Sequence, residues 1–193
     1  MSSHIAAAVT QAERIAEFEA LALRDPLTGL GNRRVLNQKL ETIFTRNPID
    51  RQDVALIMCD VDGLKKVNDS KGHAAGDRLL IETATALQRA ADTVANSTVC
   101  RIGGDEFCII LDGGGMLSAE PVMQLASRIF TDSSASRSFS SGIAFAGPDT
   151  NSPGDLLQAA DEAQYEEKRR RKGLPAEDAL PGLSDRRRAR RHS

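Results

Sequence analysis

Residues 99–108 (VCRIGGDEFC) set two adjacent carboxylates, Asp105 and Glu106, directly after a Gly-Gly pair that separates two apolar runs. Val99, Cys100 and Ile102 before the glycines, and Phe107, Cys108, Ile109, Ile110 and Leu111 after them, predict the two strands of a hairpin. Its Gly-Gly tip is expected to use the positive φ angles that glycine takes most readily. Such a tip suits carboxylates that grip a metal ion against phosphate, and the same pattern also describes a surface hairpin with acidic residues for solubility. A second acidic pair, Asp60 and Asp62, follows the unbroken apolar run 54–59 (VALIMC). That run predicts a central strand buried on both faces and ending at Asp60, where a sheet edge can present a side chain to a ligand. Asp-x-Asp taken alone equally describes an acidic turn or a helix cap. With the two strands as neighbours, Asp60 and Asp105 would face each other and make a hard oxygen site. No His or Cys cluster accompanies them, so Mg2+ or Mn2+ is favoured over zinc, with substrate phosphates and water as the remaining ligands.

Between them lies the stretch 63–77 (GLKKVNDSKGHAAGD), expected to be a loop as far as a helix that starts near residue 75. Its glycines and small residues would let backbone approach a ligand closely, while Lys65 and Lys66 add positive charge for a phosphate. Asn68 and Asp77 could divide the recognition of a guanine edge, the carboxylate accepting from the ring N–H and exocyclic amine, the amide donating to a ring acceptor. The alternatives are a turn residue for Asn68, a helix cap for Asp77 and a structural histidine for His73.

The elements that must position these groups follow from periodicity and turn chemistry. Residues 3–23 carry Ile5, Ala8, Ala12, Ile15, Phe18 and Ala22 at helical spacing, a weakly apolar stripe that fits either a short stalk pairing two copies or a frayed helix lying on its own domain. Asp25 and Pro26 break it, and the turn at residues 28–32 (TGLGN) precedes a helix over 33–44. Further helices are expected over 75–91, 119–130 and 154–172, and strands over 98–102, 106–111 and 138–144. Helices and strands alternate around one hairpin, which implies an α/β sandwich with a mixed sheet.

At 193 residues the chain has room for one domain with modest extensions. Cys59, Cys100 and Cys108 each lie in a predicted strand without C-x-x-C spacing, so neither a disulfide framework nor a zinc site is expected. A reducing, cytoplasmic setting fits, and the apolar run at residues 5–9 is too short for a signal peptide or a span. The net charge of −2 hides a segregation. Residues 1–167 carry 15 basic and 24 acidic side chains, and residues 168–193 carry 10 basic and 3 acidic. An acidic body is a poor surface for nucleic acid, so no specific nucleic acid is expected, and any polyanion binding outside the site would fall to the tail at 174–193, which is expected to be disordered.

In order and spacing, six segments resemble the GGDEF family of diguanylate cyclases: residues 24–34 (RDPLTGLGNRR), 60–69 (DVDGLKKVND), 72–77 (GHAAGD), 101–107 (RIGGDEF), 141–144 (SGIA) and 160–168 (ADEAQYEEK). The resemblance implies a GGDEF domain over residues 24–173, preceded by the stalk at 1–23, with a fold like the palm of nucleotide cyclases and polymerases. Two GTP molecules, one on each protomer of a homodimer, would condense to cyclic di-GMP with release of pyrophosphate. By position Asp60, the Val61 carbonyl and Asp105 become the ligands of two Mg2+ or Mn2+ ions per site. Asp105 would also help deprotonate the attacking 3′-hydroxyl, with Glu106 assisting. Asn68, His73 and Asp77 map to guanine and ribose contacts. The Gly63 and Leu64 N–H groups, with Lys65, Lys168 and Lys172, map to the phosphates. Arg171 stands where the family has glycine, and the Arg-x-x-Asp product-inhibition site is replaced by Val94, Ala95, Asn96 and Ser97, so no inhibition through that site is expected. The alternative function is a silent GGDEF module that binds GTP or a partner protein and signals by contact. An upstream protein is the expected source of control over pairing.

Overall fold

The computed structural model describes residues 22–133, 137–148 and 150–171. The expected stalk (except its last two residues), the basic tail and Lys172 lie outside the described residues. Asn32 opens helix α1 (Arg33–Phe44) by accepting a hydrogen bond from the Arg34 N–H, the usual work of an Asn cap. A short 3-10 turn (Pro48–Arg51) leads into strand β1 (Val54–Val61), followed by helices α2 (Leu64–Lys71) and α3 (His73–Ala91). Strands β2 (Ser97–Arg101) and β3 (Glu106–Asp112) form the hairpin; α4 (Gly115–Ser133), β4 (Phe139–Phe145) and α5 (Pro153–Arg171) complete the chain.

The strands lie in the order β2-β3-β1-β4. Every ladder is antiparallel, where a mixed sheet was expected. The reason is topological. Each helical crossover joins two strands of the same direction, β1 to β2 and β3 to β4, but skips one position, and the skipped position is filled by a strand of opposite direction. This is the split β-α-β arrangement.

Alternation along β1 divides the core into two layers. Ala55, Ile57, Cys59 and Val61 join Leu79, Leu80 and Leu87 of α3 and Val122, Met123 and Phe130 of α4. Val54, Leu56 and the half-buried Met58 face the other way, toward Leu36, Leu40 and Ile43 of α1 and Leu156 and Ala160 of α5. Each fully buried Leu or Ile is worth about 1.5–3 kcal/mol, so the sandwich holds the sheet ends rigidly in register. By the same alternation Asp60 projects toward the α1 and α5 layer.

The segment after β1 is helical where a loop was expected. Helix α2 has no buried residue and contributes only Leu64 and Val67 to the core edge, so its apolar periodicity is too faint to read. Glycines bound it on both sides: Gly63 at φ +76° and Gly72 at φ +79°. The three cysteines are buried and form no disulfide, and burial raises the pKa of each thiol. Among the described residues no helix is long and apolar enough to cross a membrane.

Candidate active site

Ladder register brings the backbone of Asp105 beside the end of β1, one residue beyond the partner of Asp60. Asp60 pairs across β1–β3 with Glu106, and the Val61 N–H donates to the Asp105 carbonyl at 3.0 Å. The hairpin closes through the Ile102 N–H, which donates to the Glu106 carbonyl at 2.9 Å. Neither Gly103 nor Gly104 takes a positive φ, contrary to expectation. A Cβ at Gly103 would instead meet the Glu106 carboxylate, the far end of a flexible and partly exposed side chain that can shift aside.

Two arginines that sequence reasoning gave no role brace this tip. Arg101 donates to the Gly104 carbonyl at 2.8 Å and pairs with Asp25 at 3.1 Å. Asp25 also accepts from the Thr28 hydroxyl at 2.6 Å and the Thr28 N–H at 2.9 Å. Although burial alone would raise its pKa, the Thr28 and Arg101 hydrogen bonds hold the Asp25 carboxyl below the usual range. Arg33 reaches the Ile102 carbonyl through Nε at 3.1 Å and Nη2 at 2.9 Å, and lies 3.9 Å from Glu106. The signal for both was present, since Asp25, Arg33 and Arg101 stand inside the segments 24–34 and 101–107.

Lys168 enters from α5. Gly142 of β4 lets that helix lie at backbone distance, since a Cβ there would collide with the Ala160 carbonyl and the Gln164 N–H. Two turns beyond Ala160, the Lys168 ammonium donates to Asp60 Oδ1 at 2.6 Å. Burial raises the Asp60 pKa, repulsion from Asp105 and Asp62 adds to it, and the Lys168 hydrogen bond opposes it. Asp62 turns away: it accepts from Ser138 Oγ at 2.7 Å and Ser140 Oγ at 3.0 Å and lies 3.7 Å from Arg171. Arg171 also donates to the Phe139 carbonyl at 2.9 Å and pairs with Glu167 at 2.7 Å, pinning the end of α5 to the start of β4.

On the other flank Gly63 precedes α2, and its carbonyl takes the first helical hydrogen bond, from the Val67 N–H at 3.0 Å. The N–H groups of Leu64, Lys65 and Lys66 therefore have no intrahelical acceptor, the usual character of an anion-binding helix start. Lys65 is exposed beside them. Gly76 brings α3 against Asn68, because a Cβ at Gly76 would strike the Asn68 amide. Asn68 Oδ1 is buried and accepts no hydrogen bond among the described residues, an arrangement that costs about 1–3 kcal/mol unless a ligand supplies the donor. His73 and Asp77 are exposed in the first turns of α3, at the same crossing.

Among the described residues no group of three His, Cys, Asp or Glu side chains forms a ready-made metal cage. Two carboxylates and the Val61 carbonyl do suit a hard divalent cation that takes its remaining ligands from phosphate and water. The Lys168 ammonium against Asp60 marks the same spot as one where positive charge is favoured.

Residues 22–173 match the family model of the diguanylate cyclase GGDEF domain. The chain is 35% identical over 175 residues to an uncharacterized protein in the hutH 5′ region of Streptomyces griseus, covering 87% of this chain and 71% of that protein. It is 36% identical over 173 residues to the bifunctional diguanylate cyclase/cyclic di-GMP phosphodiesterase MucR of Pseudomonas aeruginosa, covering 86% of this chain, and 32% identical over 160 residues to the response regulator PleD of Caulobacter vibrioides, covering 77%. The match spans only 25% of MucR and 34% of PleD. Among solved structures, the diguanylate cyclase SiaD of Pseudomonas aeruginosa, in complex with its activator SiaC, superposes with a TM-score of 0.68 at 30% identity, over 88% of this chain and 67% of that one.

Proposed function

The chain belongs to the GGDEF family of diguanylate cyclase domains, and from that premise we propose that it condenses two GTP molecules into cyclic di-GMP, releasing pyrophosphate, at the interface of two protomers. The observation that carries this reading is the ladder register that brings Asp60, Val61 and Asp105 to one end of the sheet.

Asp60, the Val61 carbonyl and Asp105 would hold two Mg2+ or Mn2+ ions. When bound, these supply stabilisation of charge on the attacking and leaving oxygens of an in-line phosphoryl transfer. Asp105 accepts the proton of the attacking 3′-hydroxyl, and Glu106, steadied near Arg33, assists it. The Gly63 and Leu64 N–H groups, Lys65, Lys168 and Lys172 hold the phosphates. The side-chain amide of Asn68 and the Asp77 carboxylate read guanine, and His73 lies beside them toward the ribose. Since one protomer carries one GTP, turnover requires a homodimer. Control of pairing falls to an upstream protein, a reading supported by the solved complex of SiaD with its activator.

Purified protein incubated with GTP and Mg2+ should yield a product with the mass of cyclic di-GMP, and ATP should yield none. A clean preparation that binds GTP and makes no product would assign the chain to signalling by contact instead.

A further inference from the structure

Lys168 stands against the very carboxylate that the reading above assigns to a divalent cation. Its ammonium lies 2.6 Å from Asp60 Oδ1, with the lysine side chain 31% exposed and that of Asp60 19% exposed. Neighbouring carboxylates are engaged differently. Asp62 is held by two serine hydroxyls and lies near Arg171, and Glu106 lies near Arg33. The helix that carries Lys168 is pinned by Arg171 to the Phe139 carbonyl. The backbone is therefore fixed, while the four-carbon lysine stem is free to swing its charge from one anion to another.

We propose that Lys168 is an internal competitor for the divalent cation, and that nucleotide phosphates relieve the competition by drawing its ammonium off Asp60. The inference rests on the reading of the site given above and adds a coupling to it. A divalent ion approaching Asp60 without nucleotide meets a positive charge already in place. A triphosphate offers that charge a better anion, so metal and nucleotide each strengthen the binding of the other by the same factor. Discrimination between order of arrival follows: the cation enters tightly only with its nucleotide, and the empty protein is kept from holding it.

Loss of a purely structural Lys168–Asp60 pair would loosen the carboxylate and weaken metal binding; loss of a competitor would strengthen it. The test is Mn2+ binding to the full chain, followed by the electron paramagnetic resonance signal of free Mn2+, with and without a saturating GTP analogue carrying a methylene bridge between its α and β phosphorus atoms. Lys168→Met is expected to tighten Mn2+ binding to the nucleotide-free protein by about tenfold and to shrink the enhancement given by the analogue by the same factor. Lys168→Arg, which keeps the charge, should stay near wild type, and Lys168→Gln should behave as Lys168→Met if the methionine variant folds poorly. Unchanged or weaker Mn2+ binding in both uncharged variants, with Asp60-dependent binding intact in the wild type, overturns the proposal and leaves the cyclase reading standing. If Asp60→Asn binds Mn2+ as well as wild type in the presence of the analogue, the metal assignment itself fails and the proposal with it.

Discussion

Two carboxylates on one face of the sheet, at opposite ends of the β1–β3 ladder, are treated in opposite ways. Asp112 sits across from Val54 at the far end and is nearly buried. It accepts both arms of the Arg46 guanidinium, at 2.6 and 2.9 Å, and lies 3.0 Å from Lys39. The Arg46 hydrogen bonds hold its carboxyl below the usual range. Asp60, at the other end, has one lysine, Glu106 across the ladder and the charges of Asp105 and Asp62 nearby, and burial pushes its carboxyl up. The far end spends its carboxylate on tying α1 to the sheet. The near end leaves negative charge in excess, which opposes folding and favours a cation.

That contrast breaks most sharply at the hairpin tip. Asp105→Ala is expected to lower turnover of GTP by about 10²–10³-fold, measured as cyclic di-GMP formed per minute, while the urea midpoint stays close to wild type. Equal turnover would erase the functional half of the comparison.

Removing the charge at each end should then move stability in opposite directions. Asp112→Asn leaves Arg46 and Lys39 without their anion and, since both cations can turn to solvent, is expected to cost about 1–2 kcal/mol by urea denaturation at pH 7, with the site's nucleotide affinity retained. Because the native Asp112 pKa lies below the unfolded value, its stabilisation is present above about pH 4 and is lost as pH falls through the native pKa; the variant should therefore show a flatter acid limb than wild type. Asp60 has the opposite sign. Its native pKa is raised, so the folded protein binds the proton more tightly and the carboxylate works against stability as pH rises through the native value. Asp60→Asn should melt at an equal or higher temperature than wild type at pH 7 while losing turnover. A large fall in melting temperature would mean that Asp60 is as structural as Asp112.

A smaller effect is expected at the α2–α3 crossing. Gly76→Ala would push on the Asn68 amide and should weaken GTP binding about 3–10-fold by isothermal titration, with kcat little changed, the loss of one hydrogen bond of about 0.5–1.5 kcal/mol.

How far the sequence carried these conclusions depended on whether a residue's task was local. The run at 54–59 is apolar on both faces because β1 is covered by two helical layers. The hairpin and its carboxylates were legible for the same reason. Direction was not legible in the sheet, because alternation of helix and strand does not say whether a crossover skips a neighbour. Helix α2 was hidden by its exposed surface. Glycine proved the least legible residue: Gly76 and Gly142 are needed for space against Asn68 and α5, contacts made only once separate elements meet. The pairing of Lys168 with Asp60 joins residues 108 positions apart and has no local signature at all.

The central claim is that Asp60 and Asp105 converge to hold divalent cations beneath a triphosphate. Anomalous diffraction at the manganese edge, from crystals grown with Mn2+ and the methylene-bridged GTP analogue, measures this directly. A peak liganded by both carboxylates, the Val61 carbonyl and the phosphates is the result the proposal predicts. Nucleotide bound with its manganese remote from both aspartates would contradict it.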